Sequence, residues 1–311
     1  MKENLRIIMY RISIMSLFLT LLVTNIQSQA QDTTETVAIV EEDEGLLPVR
    51  NPWTTGLIID NQTTEVLSKG AFEFAMHHRF GTIENIKDIY GIYSYANTRL
   101  VVTYGLTKKI SIGFGTEKDN KLQEFTGKYN IISQTRNGKI PLSITYFGNI
   151  VIDARKSEFF GLEYKFVHRL SYFNQLIFGR KFTDAFSFQL AGSYAHFNLV
   201  TELSESPEGE EIAKWNNDYI GITAGSRYKI INNLSAIVEY CHSFELNELE
   251  GGQSTPKPDL GFGIEIGTST HAFQLFASNY FDIVAQNNYG RNLSDMSDGA
   301  WRFGFNIIVR F

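Results

Sequence analysis

Charged residues recur at alternate positions within otherwise apolar segments of this 311-residue chain; Arg227 and Lys229, for example, flank Tyr228. Successive side chains of a β-strand point to opposite faces, so residues two apart share a face. A face that carries both acids and bases can select a charged solute, with the acids favouring cations and the bases orienting anions. It can equally form cross-strand ion pairs that fill and brace a narrow interior. The charged residues singled out by this pattern are Arg99, Glu117, Glu124, Lys128, Arg227, Glu239, Glu265 and Arg302.

The opposite faces of the same segments are apolar, as in the alternating set Leu260, Phe262, Ile264 and Ile266. A soluble ligand-binding barrel would show the reverse, an apolar interior and a charged exterior. Charge on a lipid-facing surface costs about 2–4 kcal/mol at the bilayer midplane, so the charged faces must point inward. The pattern therefore predicts an all-β fold, a transmembrane antiparallel β-barrel with a polar lumen.

About twelve strands are expected from this alternation. They are predicted at 70–80, 97–106, 109–117, 121–134, 140–153, 168–182, 185–200, 217–230, 234–244, 259–268, 271–280 and 300–311. Short turns such as 183–184 alternate with mostly long connections such as 281–299. Outer-membrane barrels have short periplasmic turns and long outer loops, which places both ends of the barrel on the periplasmic side. The outer loop 201–216 is acidic, and it either holds cations or is simply solvated.

The final strand is strongly amphipathic and ends in an aromatic residue. Its outward-facing aromatic residues are Trp301, Phe303, Phe305 and Phe311. A closing strand of this kind resembles the last strand of bacterial outer-membrane barrels, and it implies recognition by the barrel-assembly machinery. Aromatic residues near strand ends also predict interfacial girdles, with Tyr194, Tyr219, Tyr240, Tyr280 and Trp301 toward the outer rim.

The N-terminus has the features of a secretory signal peptide. Basic residues Lys2, Arg6 and Arg11 precede a short apolar run at 12–23, and Ser28-Gln29-Ala30 supplies small residues for cleavage after Ala30. Cleavage leaves 25 basic and 33 acidic residues and a net charge of −8, which disfavours a nucleic-acid partner. The single cysteine, Cys241, excludes an internal disulfide.

Three regions follow from these patterns: the signal peptide at 1–30, an acidic linker and candidate lumen-docking segment at 31–64, and the barrel at 65–311. The docking hypothesis concerns the segment 51–59. Glycines cluster on the predicted inward faces, at Gly113, Gly115, Gly221, Gly225, Gly261, Gly263, Gly267 and Gly304. Glycine within a strand marks either curvature or the close approach of another segment. The inward-facing glycines are therefore explained either by curvature on closing the barrel or by packing of the docking segment against them.

Catalytic and metal-binding patterns are weak. His77 and His78 are adjacent, so on a strand they point to opposite faces and cannot chelate one ion together. His242 and Ser243 are also adjacent, so on a strand they too point to opposite faces and cannot act together. The chain has no Gly-x-Ser-x-Gly nucleophile elbow. We therefore expect no enzymatic activity, no cofactor and no metal.

Several motifs resemble a family of Bacteroidetes outer-membrane β-barrel proteins of unknown function, and the resemblance extends over about residues 50–311. These motifs are TEVLSKGAFEF at 64–74, HHRFG at 77–81, ANTRL at 96–100, YGLT at 104–107, IGFG at 112–115 and FGRKF at 178–182. The resemblance implies a barrel fold and an outer-membrane location, and it brings no catalytic residues.

Two functions remain open from the sequence. The first is a passive channel or binding barrel for a small solute, which passes through or binds in the polar lumen by means of the eight charged residues named above. The alternative is a structural or adaptor barrel with a plugged lumen, which holds a partner through its outer loops or its N-terminal segment.

Overall fold

The computed structural model describes residues 47–83, 91–161, 163–200, 216–247 and 255–311. All described residues belong to one compact unit within Glu44–Phe311. The predicted signal peptide, the first part of the acidic linker and nearly all of the acidic loop 201–216 lie outside the described residues.

Twelve antiparallel strands form a closed barrel, as the alternation predicted. A two-stranded hairpin precedes them, with strands β1 (Leu57–Ile58) and β2 (Asn61–Gln62). The barrel strands are β3 (Phe72–Thr82), β4 (Asn97–Gly105), β5 (Ile110–Glu117), β6 (Leu122–Ile132), β7 (Ser143–Asp153), β8 (Leu170–Lys181), β9 (Phe186–Phe197), β10 (Asp218–Ile231), β11 (Leu234–Glu245), β12 (Asp259–Gly267), β13 (His271–Ser278) and β14 (Arg302–Arg310).

Closure is made by the last strand, because β14 pairs with β3. The pairing extends to the terminal residue: the Phe72 amide donates to the Phe311 carbonyl at 3.1 Å, and the Phe311 amide donates to the Phe72 carbonyl at 2.8 Å. A closed barrel leaves no unpaired edge, which is the condition for strands to cross lipid.

The two faces of the barrel follow the sequence alternation. In β12, Leu260, Phe262, Ile264 and Ile266 face outward, and Phe262 is 46% exposed in the isolated chain, as a lipid-facing side chain would be. The inward residues between them include Glu265, which is only 3% exposed. Among the described residues, no helix is both long enough and apolar enough to span a bilayer.

The connections give the barrel two different ends. At one end, short turns join β4 to β5, β8 to β9, β10 to β11 and β12 to β13; at the other lie most of the long connections. We call these the short-turn end and the long-loop end. The β13–β14 loop, residues 279–301, belongs to the long-loop end and contains helix α1 (Ala285–Arg291).

The interior is less polar than the charge pattern predicts. Phe173, Ile177, Ala191 and Ala195 of β8 and β9 point inward and pack with Tyr289 of helix α1. A second apolar cluster forms around the hairpin, and Ile237 and Phe276 belong to it. Inward apolar side chains of this kind need a partner inside the barrel, and the chain supplies one from each end.

Candidate functional site

The segment 53–65, which we call the lumen hairpin, lies inside the barrel and contains β1 and β2. Leu57, Ile58 and Ile59 are almost completely buried, at 7%, 2% and 0% exposure. Ile59 occupies the turn with a φ of 50°, a left-handed conformation that a β-branched residue adopts only under constraint. The surrounding wall therefore fixes the tip of the hairpin.

An ion pair and two amide hydrogen bonds hold that tip. The Arg79 guanidinium of β3, which is fully buried, lies 2.5 Å from the Asp60 carboxylate. Glu239 of β11 accepts hydrogen bonds from the backbone amides of Asp60 (3.2 Å) and Asn61 (3.0 Å) through one carboxylate oxygen. Charged groups buried in this way are stable only when they are paired, so the tip is seated by complementary charge and hydrogen bonding.

The carbonyl groups of the hairpin are satisfied by side chains of the wall. These donors come from strands on different sides of the barrel. They are Lys128 to Gly56 (2.7 Å) and to Glu65 (3.2 Å), Gln274 to Leu57 (3.2 Å), Asn306 to Ile59 (2.7 Å), Gln189 to Gln62 (2.7 Å) and Thr145 to Thr64 (3.2 Å). A two-stranded hairpin has unpaired backbone groups, and these wall residues replace the strands that it lacks.

Glycines of the wall make room for the hairpin. A Cβ atom built on Gly225 would lie 2.9 Å from Ile58 Cδ1, and one built on Gly261 would lie 3.0 Å from Ile59 Cδ1. A Cβ on Gly179 would likewise lie 2.8 Å from Thr64 Cγ2. A side chain at these positions would require the facing side chains of the hairpin to shift.

The β13–β14 loop fills the barrel from the long-loop end. Tyr289 of α1 packs edge-on against Phe173 with ring centroids 4.9 Å apart, and its hydroxyl is 2.6 Å from the Thr223 hydroxyl and 3.0 Å from that of Ser193. In the same loop, burial raises the pKa of Asp282 to about 6, although Arg291 opposes the shift.

The lumen hairpin and the β13–β14 loop meet at Glu239. One of its carboxylate oxygens accepts the hairpin amides, and the other accepts the Tyr280 hydroxyl of the β13–β14 loop. Trp53, Ile58 and Ile59 share an apolar cluster with this tyrosine. A segment from each end of the barrel therefore converges on one carboxylate.

All eight predicted lumen residues face the interior, and most contact one another, the lumen hairpin or the β13–β14 loop. Arg99 pairs with Glu124, and Arg227 Nε lies 3.0 Å from Glu265. The remaining contacts, by residue, are Glu117 with Asn97 Nδ2 (2.6 Å), Lys128 with the hairpin carbonyls, Glu239 with the hairpin amides, and Arg302 with the Asn279 carbonyl (3.1 Å). They form pairs and anchors around the lumen rather than one site.

Three residues that hold the hairpin were missing from the prediction. Arg79 lies on the predicted inward face, but nothing in its strand distinguishes it from the other charged residues. Its partner Asp60 directly follows the apolar run of Leu57, Ile58 and Ile59. An acidic residue directly after such a run was the signal that could have indicated an anchor of the hairpin. Tyr280 was assigned to the wrong environment.

The aromatic prediction needs a correction at two positions. Tyr219 and Tyr280 were expected at the outer rim, but each is 1% exposed and lies inside the barrel. Tyr219 precedes the outward-facing Ile220, so strand alternation points it inward; Tyr280 lies beyond β13, where alternation no longer applies. The closing-strand aromatics differ, since Trp301 packs against outward-facing Phe262 at 5.4 Å between ring centroids.

The remaining closing-strand residues lie on the outer face of β14 or at its end. Phe305 stacks on His78 at 4.9 Å between ring centroids, Phe303 is 36% exposed, and the terminal Phe311 is 80% exposed. In the part of the chain that the structure describes, no group of three or more His, Cys, Asp or Glu side chains is arranged to hold a metal ion.

Comparison with solved structures finds barrels at low identity. The KdgM porin is 9% identical, with 78% of this chain and 98% of that chain covered and a TM-score of 0.41. The TodX monoaromatic hydrocarbon channel is 9% identical over 79% of this chain and 90% of that chain, with a TM-score of 0.34. LpxR from Salmonella typhimurium is 13% identical, with 78% of this chain and 99% of that chain covered and a TM-score of 0.36.

No curated protein matches the sequence. The family comparison is positive, and it spans the lumen hairpin together with all twelve barrel strands. Residues 54–311 match the model described as "Membrane bound beta barrel domain (DUF5777)", and the chain therefore belongs to this family of membrane β-barrels.

Proposed function

We propose that this chain is an outer-membrane β-barrel whose lumen is closed, and that it serves as a structural or adaptor barrel rather than a permanently open channel. The observation that carries the proposal is the distribution of contacts around the lumen hairpin. The hairpin makes hydrogen bonds or an ion pair with residues of β3, β6, β7, β9, β11, β13 and β14, which lie all around the closed barrel.

The charged lumen residues support the same conclusion. A selectivity filter presents charged groups to passing ions, whereas Arg99 and Arg227 are each paired with a carboxylate, and Lys128 is bound to hairpin carbonyls. Buried pairs of this kind fix a packed arrangement, because leaving one partner alone is costly. The predicted selectivity residues therefore act as braces in this proposal.

The proposal extends to cellular location and partners. The chain is exported by a signal peptide cleaved after Ala30, resides in the outer membrane of a Bacteroidetes bacterium, and is inserted by the barrel-assembly machinery through its C-terminal strand. Its closed interior leaves the loops and the segment preceding the hairpin to hold a partner. No catalysis is assigned: buried Ser243 points inward, whereas His242 stacks on outward-facing Phe244 at 4.4 Å between ring centroids.

Single-channel conductance of the refolded mature protein tests the closure. A heat-dependent shift in gel mobility establishes that each sample has folded. We expect no steps from the intact protein and stable, ion-selective steps after deletion of 53–65. Deletion of 31–46 is the matched control, because it shortens the same terminus and retains the hairpin, and it should remain silent. Steady conductance from the intact protein would contradict the proposal.

A second candidate is a solute channel that opens when the hairpin leaves. The strained turn at Ile59 favours it, since strain in the docked state lowers the cost of release. In this case Arg79→Met, which removes the ion pair at the tip, should produce intermittent conductance in the full-length protein. If Arg79→Met and the hairpin deletion are both silent, the β13–β14 loop alone suffices to close the barrel.

A further inference from the structure

A cavity of about 60 Å³ separates the lumen hairpin from the wall formed by β3 to β6. Gly56, Leu57 and Glu65 line it from the hairpin side. His77, Arg99 and Lys128 line it from the wall, and all three are buried, with 1%, 7% and 8% exposure. A cavity of this size that contains polar groups has room for ordered water or for a small ligand.

The tautomer of His77 follows from its neighbour. Arg99 Nη1 lies 3.0 Å from His77 Nδ1, and a guanidinium can only donate, so Nδ1 is the acceptor. The ring proton of a neutral imidazole is then on Nε2. Within the described residues, Nε2 has no hydrogen-bond partner, and neither has Arg99 Nε. Two residues that line the cavity therefore each have a buried N–H donor that is unsatisfied, which is costly unless an acceptor such as a cavity ligand is present.

Three cationic side chains and two carboxylates line the cavity, and two of the cations are in ion pairs. Arg310 is paired with Glu73 at 2.7 Å, and Arg99 is paired with Glu124. Lys128 differs, because its ammonium group donates to two neutral carbonyls, and none of the described carboxylates lies within ion-pair distance of it.

Glu65 is the competing charge. It is the remaining carboxylate of the cavity lining, and it belongs to the hairpin rather than to the wall. An anion in the cavity would be attracted by Lys128 and repelled by Glu65. Removal of the Glu65 charge should therefore strengthen anion binding, whereas water binding would respond little.

We propose that this cavity is a binding site for a small anion, either an inorganic ion such as chloride or a small carboxylate such as acetate. His77 Nε2–H and Arg99 Nε–H donate to it, and the Lys128 ammonium group, which is in no ion pair among the described residues, supplies a positive charge that Glu65 opposes. The inference goes beyond the closed-barrel proposal in assigning a ligand, and it rests on the docked hairpin, which lines one side of the cavity.

Thermal unfolding of the full mature protein in detergent gives the first test, with chloride or acetate titrated against gluconate, a larger anion, at constant ionic strength. We expect a saturable rise of the unfolding midpoint with each small anion. His77→Phe should weaken the apparent affinity at least tenfold, because one donor to a charged group is lost. Glu65→Gln should strengthen it. His78→Phe is the matched control, since its side chain faces outward, and it should leave the anion dependence unchanged.

Bromide provides a direct readout that does not depend on any variant. Crystals of the wild-type protein soaked in bromide should show an anomalous peak within hydrogen-bond distance of His77 Nε2. Absence of bromide from the cavity, absence of a saturable response, or binding unaffected by His77→Phe would each overturn the proposal and leave the cavity to water. None of these results depends on conductance, so failure of the anion site and failure of the closed-barrel proposal are distinguishable.

Discussion

The ion pair at the tip of the lumen hairpin offers a quantitative test of how the barrel is closed. Arg79 is fully buried, and besides Asp60 it contacts Asn306 at 3.1 Å and lies over the Phe276 ring at 4.3 Å from the centroid. Replacing it by methionine keeps most of the side-chain volume but leaves the Asp60 carboxylate buried without its cation. Breaking a buried ion pair in this way costs about 3–5 kcal/mol.

This cost should fall on hairpin docking rather than on the barrel. The barrel strands are held by continuous hydrogen-bonded ladders that do not involve the Arg79 side chain. A loss of about 3–5 kcal/mol corresponds to a rise of about 10²- to 4 × 10³-fold in the undocked population, at 1.4 kcal/mol per factor of ten. The double substitution Arg79→Met with Asp60→Asn removes the unpaired charge and should recover part of the loss.

Maleimide labelling of the Ile59→Cys variant, in a Cys241→Ser background, measures the population of molecules in which the hairpin is undocked. Ile59 is fully buried, so labelling requires the hairpin to leave the wall. The labelling rate should rise with Arg79→Met by the factor given above. Arg155→Met is the matched control, because it breaks an ion pair with Asp153 at 2.6 Å that does not involve the hairpin. Equal labelling in folded wild-type and Arg79→Met protein would refute the assignment of the ion pair as the main anchor.

Three further predictions concern the wall, the β13–β14 loop and the lipid face. Gly225→Val should displace the hairpin and raise its labelling, whereas Gly192→Val, where a new Cβ meets no atom within 4 Å, should not. Asp282 has a pKa of about 6 in the folded protein against 3.8 unfolded, so its ionisation opposes folding. Stability should therefore rise as the pH falls from 7.5 to 5, and Asp282→Asn should reduce this rise in thermal unfolding. Tyr146 donates to Asn174 at 2.5 Å, so Tyr146→Phe should cost about 1 kcal/mol in denaturant unfolding; a double-mutant cycle with Asn174→Leu isolates the coupling.

The barrel itself was predictable because its signal is local and repeated. A period of two residues fixes which side chains face lipid, and the cost of lipid-facing charge fixes the polarity of the two faces. The prediction of a strand at 234–244 differs by one residue from the observed Leu234–Glu245. Asn174 is an outward-facing polar residue in β8 and so an exception to the apolar alternation; its side chain accepts a hydrogen bond from the cross-strand Tyr146 hydroxyl.

The contents of the lumen were harder to predict because they depend on contacts between distant segments. Arg79 and Asp60 are 19 residues apart, and Asn306 is 247 residues from the Ile59 carbonyl that it binds. No periodicity relates such pairs, so the pattern gave the inward face of each charged residue but not its partner. The inward glycines, for which curvature and docking were both open, were a partial exception: Gly225 and Gly261 face the hairpin, whereas Gly113 and Gly115 face only residues of the wall.

The width of the barrel explains why the chain supplies its own filling. A barrel of about eight strands can be packed by wall side chains alone, whereas 16–18 strands leave an aqueous channel. Twelve strands lie between these cases, and here inward residues such as Ile177 and Ile237 would face water if the lumen were empty. Covering them requires segments that enter from both ends, and the two segments must meet without leaving buried polar groups unsatisfied. Glu239 satisfies that condition by accepting hydrogen bonds from the hairpin and from the β13–β14 loop. A change in either segment therefore alters the hydrogen bonding of the carboxylate that they share.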